Sequence, residues 1–257
     1  MNAIILLAAI LFGLMVWVGG KKGVRSFISL FFNFIVFLIA LMFIMAPSVN
    51  PIAVTLLACT AISSINLFFI NRVNSKTIMA FASTIITICL LLFLIDWIAN
   101  QSMIQGFGEE EIGEISMFSL HIGIDFVQIA VSMIIISTIG AITDVAIAIS
   151  SPMRELIIHD PDISREDLFR SGMTIGRDIL GSDTNTLFFA FIGGYMALIL
   201  WFRDLNYSVG QMVNAKVFGG EMLTIFCAGI GIALVIPVSA GINAWYLTRR
   251  RERKQTG

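Results

Sequence analysis

The sequence predicts an all-α integral membrane protein, a bundle of about seven transmembrane helices with the N-terminus outside and the C-terminus in the cytoplasm. Three observations predict it. Of 257 residues, 58% are hydrophobic and only 13% charged, with a mean hydropathy of +0.93. A soluble domain carries roughly 45–50% apolar and about 25% charged residues, so this chain lacks the charge to cover a water-facing surface. Second, seven apolar segments reach or approach the roughly twenty residues needed to cross the hydrocarbon core. Third, Lys and Arg alternate in abundance from one connection to the next.

The segments are 2–19, 26–45, 51–70, 77–99, 121–150, 184–202 and 218–247. The first lacks a basic n-region and a small-residue cleavage site, so it reads as a retained span rather than a signal peptide. The fifth and seventh are long enough to tilt or extend past the bilayer. Spans one to four form a nearly featureless half, residues 1–117. Polar residues crowd into residues 118–257, and the whole chain reads as a single polytopic domain. The odd-numbered spans end at KKGVR, NRVNSK, the 152–181 loop and the tail RRRERK, which together hold fourteen of the sixteen Lys and Arg. The opposite face carries Arg203, Lys216 and the acidic run GEEEIGE. Basic residues stay cytoplasmic during insertion, which sets the orientation.

Composition also narrows function. The net charge of −1 is uninformative about nucleic acid, but no soluble segment carries a basic stripe, so nucleic acid is not an expected partner. Cys59, Cys89 and Cys227 lie singly in apolar runs, and His121 and His159 make no metal spacing, so neither a zinc site nor any cofactor is expected. There is no G-x-S-x-G elbow, P-loop or Cys/His pair, and the last span has no lysine to hold a retinal Schiff base. An enzyme is not expected.

Before the sixth span, DPD marks a turn, and SRED supplies Ser164 as N-cap with Asp167 at the third position. Residues 164–180 then predict an amphipathic interfacial helix with Gly181 as its stop. Leu168, Phe169, Met173, Ile175, Ile179 and Leu180 share one arc; Arg177 and Asp178 lie on the other. Those two charges read either as a solvated helix face or as part of a site. Gly172 and Gly176 fall on the apolar arc, where glycine permits close approach of another backbone, so the helix is expected to dock on the bundle. Asp183, Asn185 and Thr186 form a polar entrance to the sixth span.

An ionisable group inside a span costs about 2.5–3.5 kcal/mol on insertion scales and asks for a reason. Asp125 and Asp144 lie in the fifth span, near its outer and inner ends, with Gln128, Ser132, Gly140 and Thr143 along the same stripe. That stripe serves either helix packing or a pathway. The two aspartates are too far apart for an acid–base dyad. Glu221 opens the seventh span, where a helix start favours an anion. Pro237 and the glycines around it mark a kink or hinge and tight packing.

The motifs GAITDVAIAISS, SGMTIGRDILGSDTNTLFFAFIGG and IPVSAGINAWY, in that order, resemble the YibE/F-like family of bacterial multi-pass membrane proteins, most densely over residues 139–244. By that resemblance Asp144, Gly172, Gly176, Arg177, Asp178, Asn185, Thr186, Gly193, Glu221 and Pro237 occupy signature positions. It implies a bacterial cytoplasmic-membrane location and a permease-like role, without a substrate. Larger members carry an extracytoplasmic domain after the first span, where this chain runs from Gly20 into KKGVR. The expected function is a transporter or permease subunit using a polar path between spans five to seven. Asp144 would be its proton- or cation-sensitive group, and Arg177, Asp178, Asn185 and Thr186 its cytoplasmic gate. The alternative is a non-transporting subunit that anchors or regulates a partner protein. Besides the lipid bilayer, the expected partners are a second YibE/F-like membrane protein or a homo-oligomer.

Overall fold

A computed structural model describes residues 3–46, 48–106 and 125–255, with side-chain surroundings as far as residue 249. The described residues form eight helices: α1 (Ala3–Ile44), α2 (Pro51–Ser64), α3 (Ser75–Ser102), α4 (Phe126–His159), α5 (Arg165–Gly194), α6 (Met196–Asp204), α7 (Val209–Asn214) and α8 (Lys216–Gln255). Among them five are long and apolar enough to cross a membrane, or six if the bent pair α5–α6 is one span. The acidic run, the organisational border near Met117 and residues 121–124 of the expected fifth span lie outside the described residues.

α1 covers the first two expected spans, and it does so by turning back on itself. Gly20 sits at φ 52°, ψ −132°, a conformation that side chains with a Cβ rarely adopt. In a straight helix, Phe12 and Phe27 would stand about 22 Å apart along the axis. Their ring centroids are 4.9 Å apart. Gly23 is buried with its Cα against the Met15 carbonyl, leaving no room for a side chain. Residues 3–19 and 21–44 are therefore two arms packed against each other.

α2 starts with Asn50 accepting from the Ile52 and Ala53 amides at 2.9 and 3.2 Å, and with Pro51 at the first helical position, where its missing N–H is no loss. It ends in a π-helical turn, Ile65–Phe69. That turn carries Asn66, whose Oδ1 accepts from Asn33 Nδ2 at 2.7 Å and ties α1 to α2. In an apolar setting such a polar clasp holds helices that have little hydrophobic reason to associate.

α3, α4 and α8 build the centre. Ile95, Ile142, Ile149, Ile232 and Val235 are sealed from the surface. At their crossing a Cβ on Gly231 would meet Ile142 Cδ1 at 2.9 Å and Leu91 Cδ2 at 3.1 Å. α3 is started by Asn74, whose Oδ1 accepts from the Lys76 and Thr77 amides and takes a long 3.5 Å contact from Arg154 of α4. Asn74→Ala is expected to lower stability by about 1–2 kcal/mol, read as a fall in thermal unfolding temperature in detergent, because two amides lose their acceptor.

Four expectations need correction. α4 begins at Phe126, and Asp125 stands before it as its N-cap, accepting from the Val127 and Gln128 amides at 2.9 and 3.4 Å, rather than lying within a span. The helix of the fifth segment does not end at residue 150. α4 continues through Pro152 to His159, held by the fully buried Met153, and only residues 160–164 connect it to α5. Ser164 caps α5 as SRED predicts, its Oγ accepting from the Asp167 amide at 3.0 Å. Gly181 does not stop that helix, which runs unbroken into the expected sixth span. A break there would strand backbone donors and acceptors in apolar surroundings, whereas continuing costs about 1 kcal/mol for the glycine. Finally, Pro237 does not interrupt α8, since Ile236, Ser239 and Ala240 pin both sides of it in the core. The break falls instead after Gly193 and Gly194, where α6 leaves α5 at 47°.

Candidate functional site

Most of the sequence-predicted residues fall in two groups at different depths of the bundle. The first lies between α4 and α5. Residues Ile142, Thr143, Val145 and Ala146 point into the core, which leaves Asp144 on the exposed edge of α4. α5 packs along α4 and carries Asp183. Arg177 and Asp178 are exposed on α5, and among the described residues neither forms an ion pair; the Arg170–Glu166 pair on the same helix does. Asn185 and Thr186 are exposed as well, the Thr186 hydroxyl donating to the Ser182 carbonyl at 2.8 Å. Thr184 and Asn185 line an open cavity of about 650 Å³ between α5 and α8, together with Phe188, Ile225 and Phe226.

What seats α5 here is its pair of glycines. A Cβ on Gly172 would meet Met153 Sδ at 2.6 Å and Ala240 Cβ at 2.9 Å, and one on Gly176 would collide with Ile236. The α5 backbone therefore packs directly onto side chains of α4 and α8, and that approach sets where Asp183 and Asn185 stand. Gly193, by contrast, has nothing within 4 Å of where a Cβ would go.

The second group is at the other end of α4. Tyr195, in the joint between α5 and α6, donates its hydroxyl to Glu221 Oε1 at 2.6 Å. Glu221 lies in the second turn of α8, since that helix already starts at Lys216. The pair borders a cavity of about 490 Å³ that also takes in Lys216, Thr224 and Gln105. Asp125 does not reach it; its carboxylate is occupied by the α4 cap and by Gln128 Nε2 at 3.1 Å.

Beyond Asp144, toward the His159 end of α4, lies a cluster of buried polar side chains, of which sequence reading had named only Thr143. Asn243 Nδ2 donates to the Ser239 carbonyl at 2.7 Å and to Ser150 Oγ at 2.9 Å, and the Ser150 and Ser239 hydroxyls lie 3.3 Å apart. Nearer the centre, Ser63 of α2 meets Thr143 of α4 at 3.3 Å. Asn243, Ser150, Ser239 and Ser63 are wholly buried, and Thr143 nearly so. The available signal was the amide of Asn243 inside IPVSAGINAW, a polar group in a run otherwise fit for lipid.

Among the described residues no three His, Cys, Asp or Glu side chains gather as a metal-binding group. Cys59, Cys89 and Cys227 are unpaired thiols, the first and last buried.

No curated protein and no solved structure matches the chain. The family described as YibE/F-like protein matches residues 7–249. That match reaches all eight helices, short only of the first residues of α1 and the last of α8, and covers both groups of polar residues; the chain belongs to the YibE/F-like family.

Proposed function

We propose that this chain is a subunit of a bacterial inner-membrane transporter or permease, with its path along the polar faces of α4, α5 and α8. The observation that carries the reading is Asp144, a carboxylate within α4 that forms no ion pair among the described residues, with Asp183 carried by the neighbouring α5. A carboxylate in a membrane helix costs about 2.5–3.5 kcal/mol unless a proton or a cation joins it. Such a group responds to the ion that crosses or drives crossing. Arg177, Asp178, Asn185 and Thr186 on the exposed side of α5 form the adjoining gate. The cavity beside Glu221 and Tyr195 supplies a polar mouth at the opposite end. With each arm of α1 crossing separately and α5–α6 crossing once, the chain makes seven passes, its N-terminus outside and its basic ends in the cytoplasm.

The reading is tested in liposomes containing the purified protein and a trapped pH-sensitive dye, with imposed proton, sodium and potassium gradients. Asp144→Asn and Asp183→Asn are each expected to cut flux about tenfold or more, equivalent to about 1.4 kcal/mol in a barrier. Normal insertion with unchanged flux in Asp144→Asn and Arg177→Ala refutes transport through this path.

A further inference from the structure

At the end of the bundle where Lys76 and Arg249 lie, α3 and α8 leave a cavity of about 550 Å³ that neither polar group above uses. One wall is the start of α3, with Asn74, Ser75 and Ile78; the other is the last turns of α8, with Trp245, Tyr246 and Arg249. Trp245 and Tyr246 precede Arg249 by four and three residues, so the three share one helix face. The Arg249 Cζ lies 5.1 Å from the Trp245 ring centroid. A guanidinium held over an aromatic ring keeps its in-plane N–H donors free for a planar or tetrahedral oxyanion.

Charge makes this cavity different from its neighbour. The larger cleft between α4 and α5, about 1000 Å³, sets Lys76 and Arg170 against Glu155 and Asp167 and so cancels itself. No acidic side chain lines the Arg249 cavity, and among the described residues no carboxylate lies within ion-pair distance of Arg249. The positive end of α3 points the same way. Beyond Arg249 the sequence adds Arg250, Arg251, Arg253 and Lys254 against Glu252 alone. Ile78 and Val73, 44% and 70% exposed, extend the cavity with apolar surface, and Trp and Tyr favour the depth where headgroups meet hydrocarbon.

The geometry points to a phosphate-binding site between α3 and α8, centred on Arg249, that takes either the headgroup of an anionic phospholipid or a phosphate-bearing solute. Basic pockets between membrane helices suit such headgroups, and Ile78 and Val73 would meet the acyl chains. The site is independent of the transport reading.

The experiment uses the full chain in a neutral detergent, with phosphatidylglycerol, phosphatidylcholine and inorganic pyrophosphate as probes, read by native mass spectrometry and by the shift in thermal unfolding. Phosphatidylglycerol is expected to bind and stabilise where phosphatidylcholine does not. Arg249→Gln should weaken it about tenfold, the loss of a charge-assisted fork, whereas Arg253→Gln in the tail should weaken it about twofold or less. Trp245→Leu, which frees the guanidinium without removing it, should give an intermediate loss and serves if Arg249→Gln folds poorly. Pyrophosphate that displaces the lipid assigns the site to soluble phosphates; pyrophosphate without effect assigns it to the headgroup. Equal losses in Arg249→Gln and Arg253→Gln, or no preference for phosphatidylglycerol, overturn the site.

Discussion

Gly176→Leu is expected to detach α5 from α8 and abolish the folded bundle. The glycine is buried, and the first added carbon already collides with the branched side chain of Ile236, which has no flexible end to swing aside. Overpacking of a tight contact costs about 1–3 kcal/mol, the range expected for Gly176→Ala, and leucine adds three more carbons to the same clash. Gly172→Ala should be milder, because the nearest atom there is the Sδ of the flexible Met153 and the rigid Ala240 Cβ, at 2.9 Å, is less deeply overlapped than Ile236. Gly193→Ala is the control: with open space around it, it should be neutral or gain up to about 1 kcal/mol of helix propensity. Size-exclusion profiles and thermal unfolding in detergent report the series. If Gly176→Ala unfolds at the same temperature as Gly193→Ala, the close approach of α5 and α8 is wrong.

The second large effect is expected at Asn243. Its amide nitrogen donates to the Ser239 carbonyl and to Ser150 in a site wholly closed to the surface. Asn243→Asp exchanges that donor for an oxygen facing a carbonyl at 2.7 Å and buries a charge with no partner, a change of about 3–5 kcal/mol. Asn243→Ala should cost less, about 1–3 kcal/mol. It deletes the donor but also the Oδ1 atom, which has no hydrogen-bond partner in the structure. The order Asp worse than Ala, in unfolding temperature, is the diagnostic result. Equal effects would mean that the network is not sealed from water.

These two sites mark where sequence reading reached and where it stopped. The spacing of Gly172 and Gly176 on an apolar arc was legible, because helical periodicity and the rarity of glycine in helices are local facts. That α8 and its Ile236 would be the docking partner was not, since nothing local encodes which distant helix arrives. Asp144 was legible as a charge among apolar residues. That the neighbouring helix also carries Asp183 depends on α5 running straight through Gly181, which propensity alone argued against. Asp125 was misplaced for the opposite reason: its pull on two amide hydrogens is a cap, and a cap at the edge of an apolar run reads as part of the run. Tyr195 gave no sequence signal at all, because a lone tyrosine beside a Gly-Gly pair is ordinary until Glu221 is brought to its hydroxyl.

By itself the sequence determined that this is a helical membrane protein, where most apolar segments lie, and which family they belong to. Those properties follow from composition, from the length of apolar runs and from motifs read along the chain. The tertiary structure alone decided that α1 folds back at Gly20, that the chain bends after Gly194 while α8 continues as helix through Pro237, and which polar groups meet. Helix ends in apolar surroundings are set by whether backbone polar groups find partners, and helix pairing by whether buried side-chain donors find an acceptor. That condition is met between helices far apart in sequence, as Asn243 is met by Ser150.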